Sequence, residues 1–188
     1  MNISDFKLNR TFFINTEKFF GKEFGSDYYH DKWSKYYPDS ILNNLFWYPA
    51  NPIVKWMYDS AQESNIQFRE FMLRYSEFLF ENNLYGTLPV TGKFTDTKSA
   101  LRDSSEAGKY YSNWADLQII QNLEGMFCAQ AIVPRIFCEF YLYGIEGIIR
   151  ALLKRCNNQI IEFKNENRES FFVDGIEFVK ITFEVRYE

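Results

Sequence analysis

The sequence predicts an α+β fold: a mostly helical body with a C-terminal antiparallel β-hairpin or small sheet. Three observations carry this reading. Ile53, Met57, Ala61, Phe68, Met72, Tyr75 and Leu79 recur at spacings of three, four or their multiples, which marks one face of a helix. Val179, Ile181, Phe183, Val185 and Tyr187 alternate with Lys180, Thr182, Glu184, Arg186 and Glu188, as in a strand with one apolar and one solvated face. Asp174-Gly175 separates two apolar runs and supplies the positive φ angles of a tight hairpin turn. A chain of 188 residues, 46% of them hydrophobic, reads as one domain over 1–188 with a real core.

The elements follow in order. Residues 1–25 read as an N-terminal arm rich in phenylalanine (Phe12, Phe13, Phe19, Phe20, Phe24), with Thr16 capping a short helix through Phe20. The helical stretch 26–85 opens with Ser26 as N-cap; Tyr29, Trp33, Tyr36 and Tyr37 follow at helical spacing, and Pro38 stops the run. A short helix is expected over Ser40 to Trp47. Asn51 then caps a helix with Pro52 at its first position. That helix continues to about Leu84, or breaks at Ser64-Asn65, and Gly86 is its stop. Residues 86–112 read as a long polar loop, the first region expected to touch a partner. Asn113 opens a further helix, with Asp116 completing a loose capping box. Leu117, Ile120, Leu123 and Phe127 lie on one face of it, and Pro134 ends or kinks it. Residues 113–157 thus read as a helical core, although Ile136 to Tyr143 suits a buried strand as well as a helix. Ile145 to Cys156 is helical, with Arg150, Lys154 and Arg155 in its last turns. Residues 158–188 form the hairpin or sheet. Ile176 and Phe178 fall out of phase with the terminal strand, which predicts a β-bulge near Phe178-Val179.

Composition excludes more than it assigns. The net charge of −4 argues against a general nucleic-acid or anionic-membrane binder. His30 is the single histidine, which removes most imidazole catalysis and most zinc sites; it reads as a surface or packed residue. Cys128, Cys138 and Cys156, an odd count without a C-x-x-C pair, read as buried, reduced thiols. There is no glycine-rich phosphate loop and no nucleophile elbow. Asp5, Lys7 and Arg10 break any leader-like apolar run, and Arg135, Glu139, Glu146 and Arg150 interrupt the most apolar stretch, so neither a signal peptide nor a membrane span is expected. The chain reads as soluble, in a virion or a host cytoplasm.

Four constellations remain. Glu139 and Glu146 are the best carboxylates for acid–base or metal chemistry. They are explained as well by ion pairs with Arg135 and Arg150, four residues away in each case. Arg150, Lys154, Arg155, Lys164 and Arg168 outweigh Glu162 and Glu166, as a solvated helix end or a patch for an acidic partner or nucleic acid. The aromatics from Tyr28 to Tyr48 (Tyr28, Tyr29, Trp33, Tyr36, Tyr37, Phe46, Trp47, Tyr48) divide between core and partner contact. The terminal strand either packs on its own helices or forms a sheet edge open to a neighbour. No catalytic, cofactor-binding or metal-ligating residue is assigned, and no cofactor is expected.

In size and layout, with the helical body and sheet over roughly Asn113 to Glu188 and the long loop 86–112, the chain resembles small virion proteins of tailed phages: head–tail connector, neck-ring and tail-completion proteins. A residue usage weighted to AT-rich codons suits that resemblance. It implies a non-enzymatic assembly protein that forms a ring homo-oligomer and contacts neighbouring virion proteins through loop 86–112 or the last strand, with no nucleic acid and no membrane. Two alternatives come from other classes: a phage-encoded inhibitor of a host defence enzyme, and a carboxylate-dependent enzyme.

Overall fold

The computed structural model describes residues 2–37, 47–87, 96–102 and 112–188, without the side chains of 82–87, 166 and 167. The expected helix over Ser40 to Trp47 lies mostly outside these residues, as do Pro38 and much of loop 86–112.

Helix α1 (Arg10–Phe24) is a full helix, longer than the short one expected. Its cap is Asn9, whose side chain accepts from the Phe12 amide at 3.2 Å. Thr16 caps nothing. It is fully buried in mid-helix, where its hydroxyl donates to Phe12 O at 2.9 Å and lies 2.7 Å from the Tyr75 hydroxyl. Gly25, at φ 89°, turns the chain into α2 (Ser26–Tyr36). Strand β1 (Lys7–Asn9) pairs antiparallel with β2 (Trp47–Pro49). Helix α3 (Ala50–Glu63) starts two residues before Pro52, because the Ala50 amide is satisfied by Phe6 O at 2.9 Å. The long apolar stripe is two helices: α3 ends at Glu63, Asn65 turns the chain at φ 54°, and α4 (Phe68–Thr87) follows, running one residue beyond Gly86. Residues 97–102 form α5, so the segment 86–112 is not a continuous loop.

The helix expected from Asn113 is instead a β-hairpin, β3 (Asp116–Leu123) and β4 (Met126–Pro134). Gly125, at φ 73°, makes its turn. Along β4, Phe127, Ala129, Ala131 and Val133 are buried and the residues between them half-buried, a period of two. The ambiguous stretch 136–143 is helical: a 3-10 turn, Arg135–Phe137, leads directly into helix α6 (Cys138–Arg155). Asn157, at φ 60°, closes it. Strands β5 (Ile160–Val173) and β6 (Ile176–Tyr187) form the expected hairpin around Asp174-Gly175, at φ 49° and 80°.

The four-stranded sheet is antiparallel in the order β3-β4-β6-β5. The terminal strand is therefore interior, held between β4 and β5, and not an edge. No bulge occurs at Phe178-Val179. The register slips lie in β5, beside Ile161 and Asn167, and in β3, beside Ile120. Phe178 is out of phase because Phe6 and Phe171 cover its face, each with ring centres 5.9 Å away. Helix α6 packs on α4 on one side and against β4 and β5 on the other.

Candidate functional site

Glycine spacing on α6 sets the geometry of the site. At Gly147 the helices α4 and α6 touch: a Cβ there would fall 2.6 Å from Ser76 Cβ and 3.1 Å from Leu73 O. One turn earlier, at Gly144, the helices have diverged, and a Cβ would meet only Met72 Cε at 3.7 Å and Ser76 Oγ at 3.9 Å. The divergence opens a cavity of about 120 Å³. Met72, Tyr75, Ser76 and Leu79 of α4 form one wall; Phe140, Tyr141, Gly144, Ile145 and Ile148 of α6 form the opposite one. Leu8 of β1, which pairs with Ser112, and Phe12 of α1 complete the lining together with Trp114 and Leu117. The chain is held there by Asn113, whose side chain accepts from the Lys7 amide at 2.6 Å and donates to Asp5 O at 2.9 Å.

None of these fourteen lining residues is charged. Burial, reinforced by the Asp116 charge, pushes the Tyr141 phenol well above its usual range, so it stays neutral. The Tyr75 hydroxyl is tied to Thr16. Trp114 is 8% exposed, its ring wedged between Phe137 at 4.9 Å and Tyr141 at 6.0 Å. Its indole N–H has no acceptor among the described residues.

The residues singled out in the sequence lie elsewhere. His30 is exposed on α2, at the edge of the Tyr29 ring. Glu139 and Glu146 form no catalytic pair. Glu139 is exposed and accepts the Tyr58 hydroxyl at 2.7 Å; it makes no ion pair with Arg135, which sits in the 3-10 turn before the helix. Glu146 is 2% exposed and is gripped by Arg69 of α4, through Nε at 3.0 Å and through Nη2, and by Arg150, whose Nη2 is 2.7 Å away. The expected Glu146–Arg150 pair is thus present, with Arg69 added from outside the helix. In the basic stretch, Lys154 bonds Glu77 at 2.8 Å and Lys164 pairs Glu162 at 3.1 Å, so much of its charge is answered within the chain. Cys138 is buried, which pushes its thiol up; Cys128 and Cys156 are half-buried, and none is in a disulfide. Among the described residues, no three metal-ligating side chains cluster and no helix is long and apolar enough to cross a membrane. The early aromatics belong mainly to the core. Tyr29, Tyr37 and Tyr48 are buried, Tyr28, Trp33 and Tyr36 pack against them, and Phe46 lies outside the described residues.

No protein-family model matches the chain, and no curated protein does. Solved structures do. An H-NOX protein from S. oneidensis in the Fe(II)NO ligation state superposes with a TM-score of 0.68 over 95% of this chain and 99% of its own, at 17% identity. An Fe(II) unliganded H-NOX protein from K. algicida gives 0.64 over 96% and 97%, at 14% identity. The F78L variant of Tt H-NOX gives 0.69 over 96% and 95%, at 13% identity. The chain has the H-NOX fold. That likeness overturns the resemblance to phage connector, neck-ring and tail-completion proteins, and with it the ring homo-oligomer, the virion partners and the virion location. It overturns the defence-inhibitor reading as well. The strand that was to be offered to a neighbouring subunit is used inside the chain's own sheet, and the carboxylates that were to do chemistry stand apart.

The cavity residues were missed in the sequence because five separate segments supply them. Met72 and Tyr75 were visible only as part of a helical stripe. The one local signal was a pair of glycines, Gly144 and Gly147, in an otherwise bulky apolar helix.

Proposed function

We propose that the chain is a non-enzymatic ligand-binding sensor module, which recognises a small, uncharged, apolar molecule in the cavity between α4 and α6. The observation that carries this reading is the cavity itself: a lining of neutral side chains within a fold whose known members are described with heme and Fe(II) ligation states.

A heme does not fit the described residues that line the cavity. Its iron needs a histidine, a thiolate, a phenolate, or a methionine working with a histidine. The only histidine is exposed on α2, no cysteine lines the cavity, and Tyr141 is held in its neutral form. Met72 is the one soft donor on the wall, with no imidazole to partner it. Among the described residues, no cation lines the space to receive the heme propionates. The volume points the same way. A cavity of roughly 150 Å³ takes one benzene, and this one, at about 120 Å³, is smaller.

The test is to express the full chain with added hemin, and separately to titrate it with cyclopentane or benzene under thermal denaturation. Purified protein is expected without a stoichiometric Soret band. At tenfold over Kd, an apolar ligand should raise Tm by about 3–6 °C, from RT ln(1 + [L]/Kd) and the entropy of a chain this size. One heme per chain, or no stabilisation by any small apolar molecule, would overturn the proposal.

A further inference from the structure

Glycine in a helix interior is destabilising relative to alanine, so each such glycine calls for a reason. At Gly147 the reason is contact with α4, where Ser76 and Leu73 leave no room for a Cβ. Gly144 has no such reason. A Cβ there would sit 3.7 Å from Met72 Cε and 3.9 Å from Ser76 Oγ, which are ordinary van der Waals distances. Met72 and Ser76 stand on the opposite wall of the cavity, so the missing side chain would point across it. Of the fourteen residues that line the space, Gly144 alone brings no side chain. An alanine would bury a methyl and gain helix propensity without a clash. The chain gives up both, and what it keeps is open space.

We infer that Gly144 determines the size of the ligand: its bare backbone leaves the room that admits a compact apolar molecule as large as a five-membered carbon ring, and a side chain at 144 restricts the site to smaller guests. The inference rests on the cavity being the ligand site, and it adds the residue that sets the size limit. The other walls are fixed or adaptable. Phe12 packs on Tyr75 at 5.8 Å and on Phe140 at 6.1 Å, and the Tyr75 hydroxyl is tied to Thr16, so these rings stay in place. Met72 is unbranched and can follow the outline of a guest. The backbone of α6 cannot retreat, because it is pinned against Ser76 and Leu73 one turn away at Gly147. A Cβ at 144 would therefore take its room from the ligand.

The experiment measures the binding of cyclopentane and of xenon to the full chain, to Gly144→Ala and to Gly21→Ala, by chemical-shift titration, together with the thermal melt of each ligand-free protein. Gly21 lies inside α1, does not line the cavity, and has nothing within 4 Å of a Cβ, so Gly21→Ala gains helix propensity without touching the site. Gly144→Ala should melt at or above the wild-type Tm. Cyclopentane should bind it at least about fivefold more weakly than wild type, the low end of the cost of forcing an extra methyl into a filled space. Gly21→Ala should bind cyclopentane as wild type does. Xenon, a single atom, should bind all three within about twofold. Equal cyclopentane affinity in wild type and Gly144→Ala, or equal weakening in Gly21→Ala, overturns the inference while leaving the cavity as a ligand site. Loss of xenon along with cyclopentane in Gly144→Ala also overturns it, since the cavity would then have collapsed and not been trimmed. So does a Gly144→Ala that melts below wild type or fails to fold, because the space at 144 would then already be filled. Failure of the wild type to bind either probe removes the cavity reading and this inference with it.

Discussion

Glu146 shows how one buried carboxylate can be safe in an apolar helix. Its charge lies at 2% exposure, but two guanidiniums reach it from outside, and the Arg69 and Arg150 side chains are themselves 50% and 41% exposed. The costs of breaking this cluster are therefore unequal. Glu146→Leu frees two arginines that water can solvate, and should cost no more than about 1 kcal/mol. Arg69→Met with Arg150→Met strands a buried carboxylate and should cost about 3–5 kcal/mol. Urea denaturation of both variants at pH 7 checks the ordering; equal losses would show that Glu146 is not the buried partner. A second cluster governs acid sensitivity. Tyr28 and Lys32 of α2 donate to Glu63 of α3, and Tyr36 and Lys55 donate to Asp59. The Lys32 ammonium holds Glu63 below its ordinary value of 4.5, against the opposing effect of burial. Burial pushes Asp59 up, but Tyr36 and Lys55 together bring it below its ordinary 3.8. Both groups bind protons less readily folded than unfolded. Their stabilisation is therefore complete above about pH 5 and is lost as pH falls through and below 4. The urea midpoint should drop over that window, and Glu63→Gln should flatten the drop by less than about 1 kcal/mol, since the Glu63 side chain is 47% exposed.

Between elements, the contact of α4 with α6 decides both stability and the cavity. Gly147→Ala places a methyl 2.6 Å from Ser76 Cβ and 3.1 Å from a backbone oxygen, so the helices must separate, at about 1–3 kcal/mol. Gly144→Ala meets nothing closer than 3.7 Å and gains helix propensity of about 0.5–1 kcal/mol. Thermal melts should move the two variants in opposite directions, and a Gly147→Ala protein as stable as wild type would refute the close crossing. Neither role was legible from periodicity, which reports the face a helix buries and not its distance from the next helix. The break between α3 and α4 was legible, because Asn65 is a residue type that tolerates left-handed φ. The β3–β4 hairpin was not. Leu117, Ile120, Leu123 and Phe127 match a helical face only if Gly125 is read through, and Gly125 is the turn. Local spacing gave two answers there, and pairing of β4 with β6, more than 40 residues away in sequence on the basis of strand pairing, selects between them.

At the scale of the molecule, most of the described aromatic residues join one continuous core. It runs from Phe13, Phe20 and Trp56 between the first helices, through Phe12, Tyr75 and Phe140, to Phe6, Phe137 and Phe178 beside the sheet. The alternation of the last strand identified its faces correctly, but no local feature told an edge strand from a central one. Topology made it central, so the sheet is completed only when β6 is in place between β4 and β5. The centre of that strand is the most demanding position in the fold. Phe183 is 1% exposed, stacked on Phe163 at 5.6 Å and tilted against Phe127 at 6.2 Å. Phe183→Asp removes this packing and buries a charge among aromatic rings. The cost should exceed about 4–5 kcal/mol, a large part of the 5–15 kcal/mol that holds a domain together. The variant should lose its dispersed amide spectrum and its cooperative melt. Thr182→Asp, one residue away on the half-buried opposite face, should keep both and cost about 1 kcal/mol or less. Because a one-residue slip exchanges the two faces of a strand, a folded Phe183→Asp beside an unfolded Thr182→Asp would reverse the assigned register and detach β6 from the core it is argued to anchor.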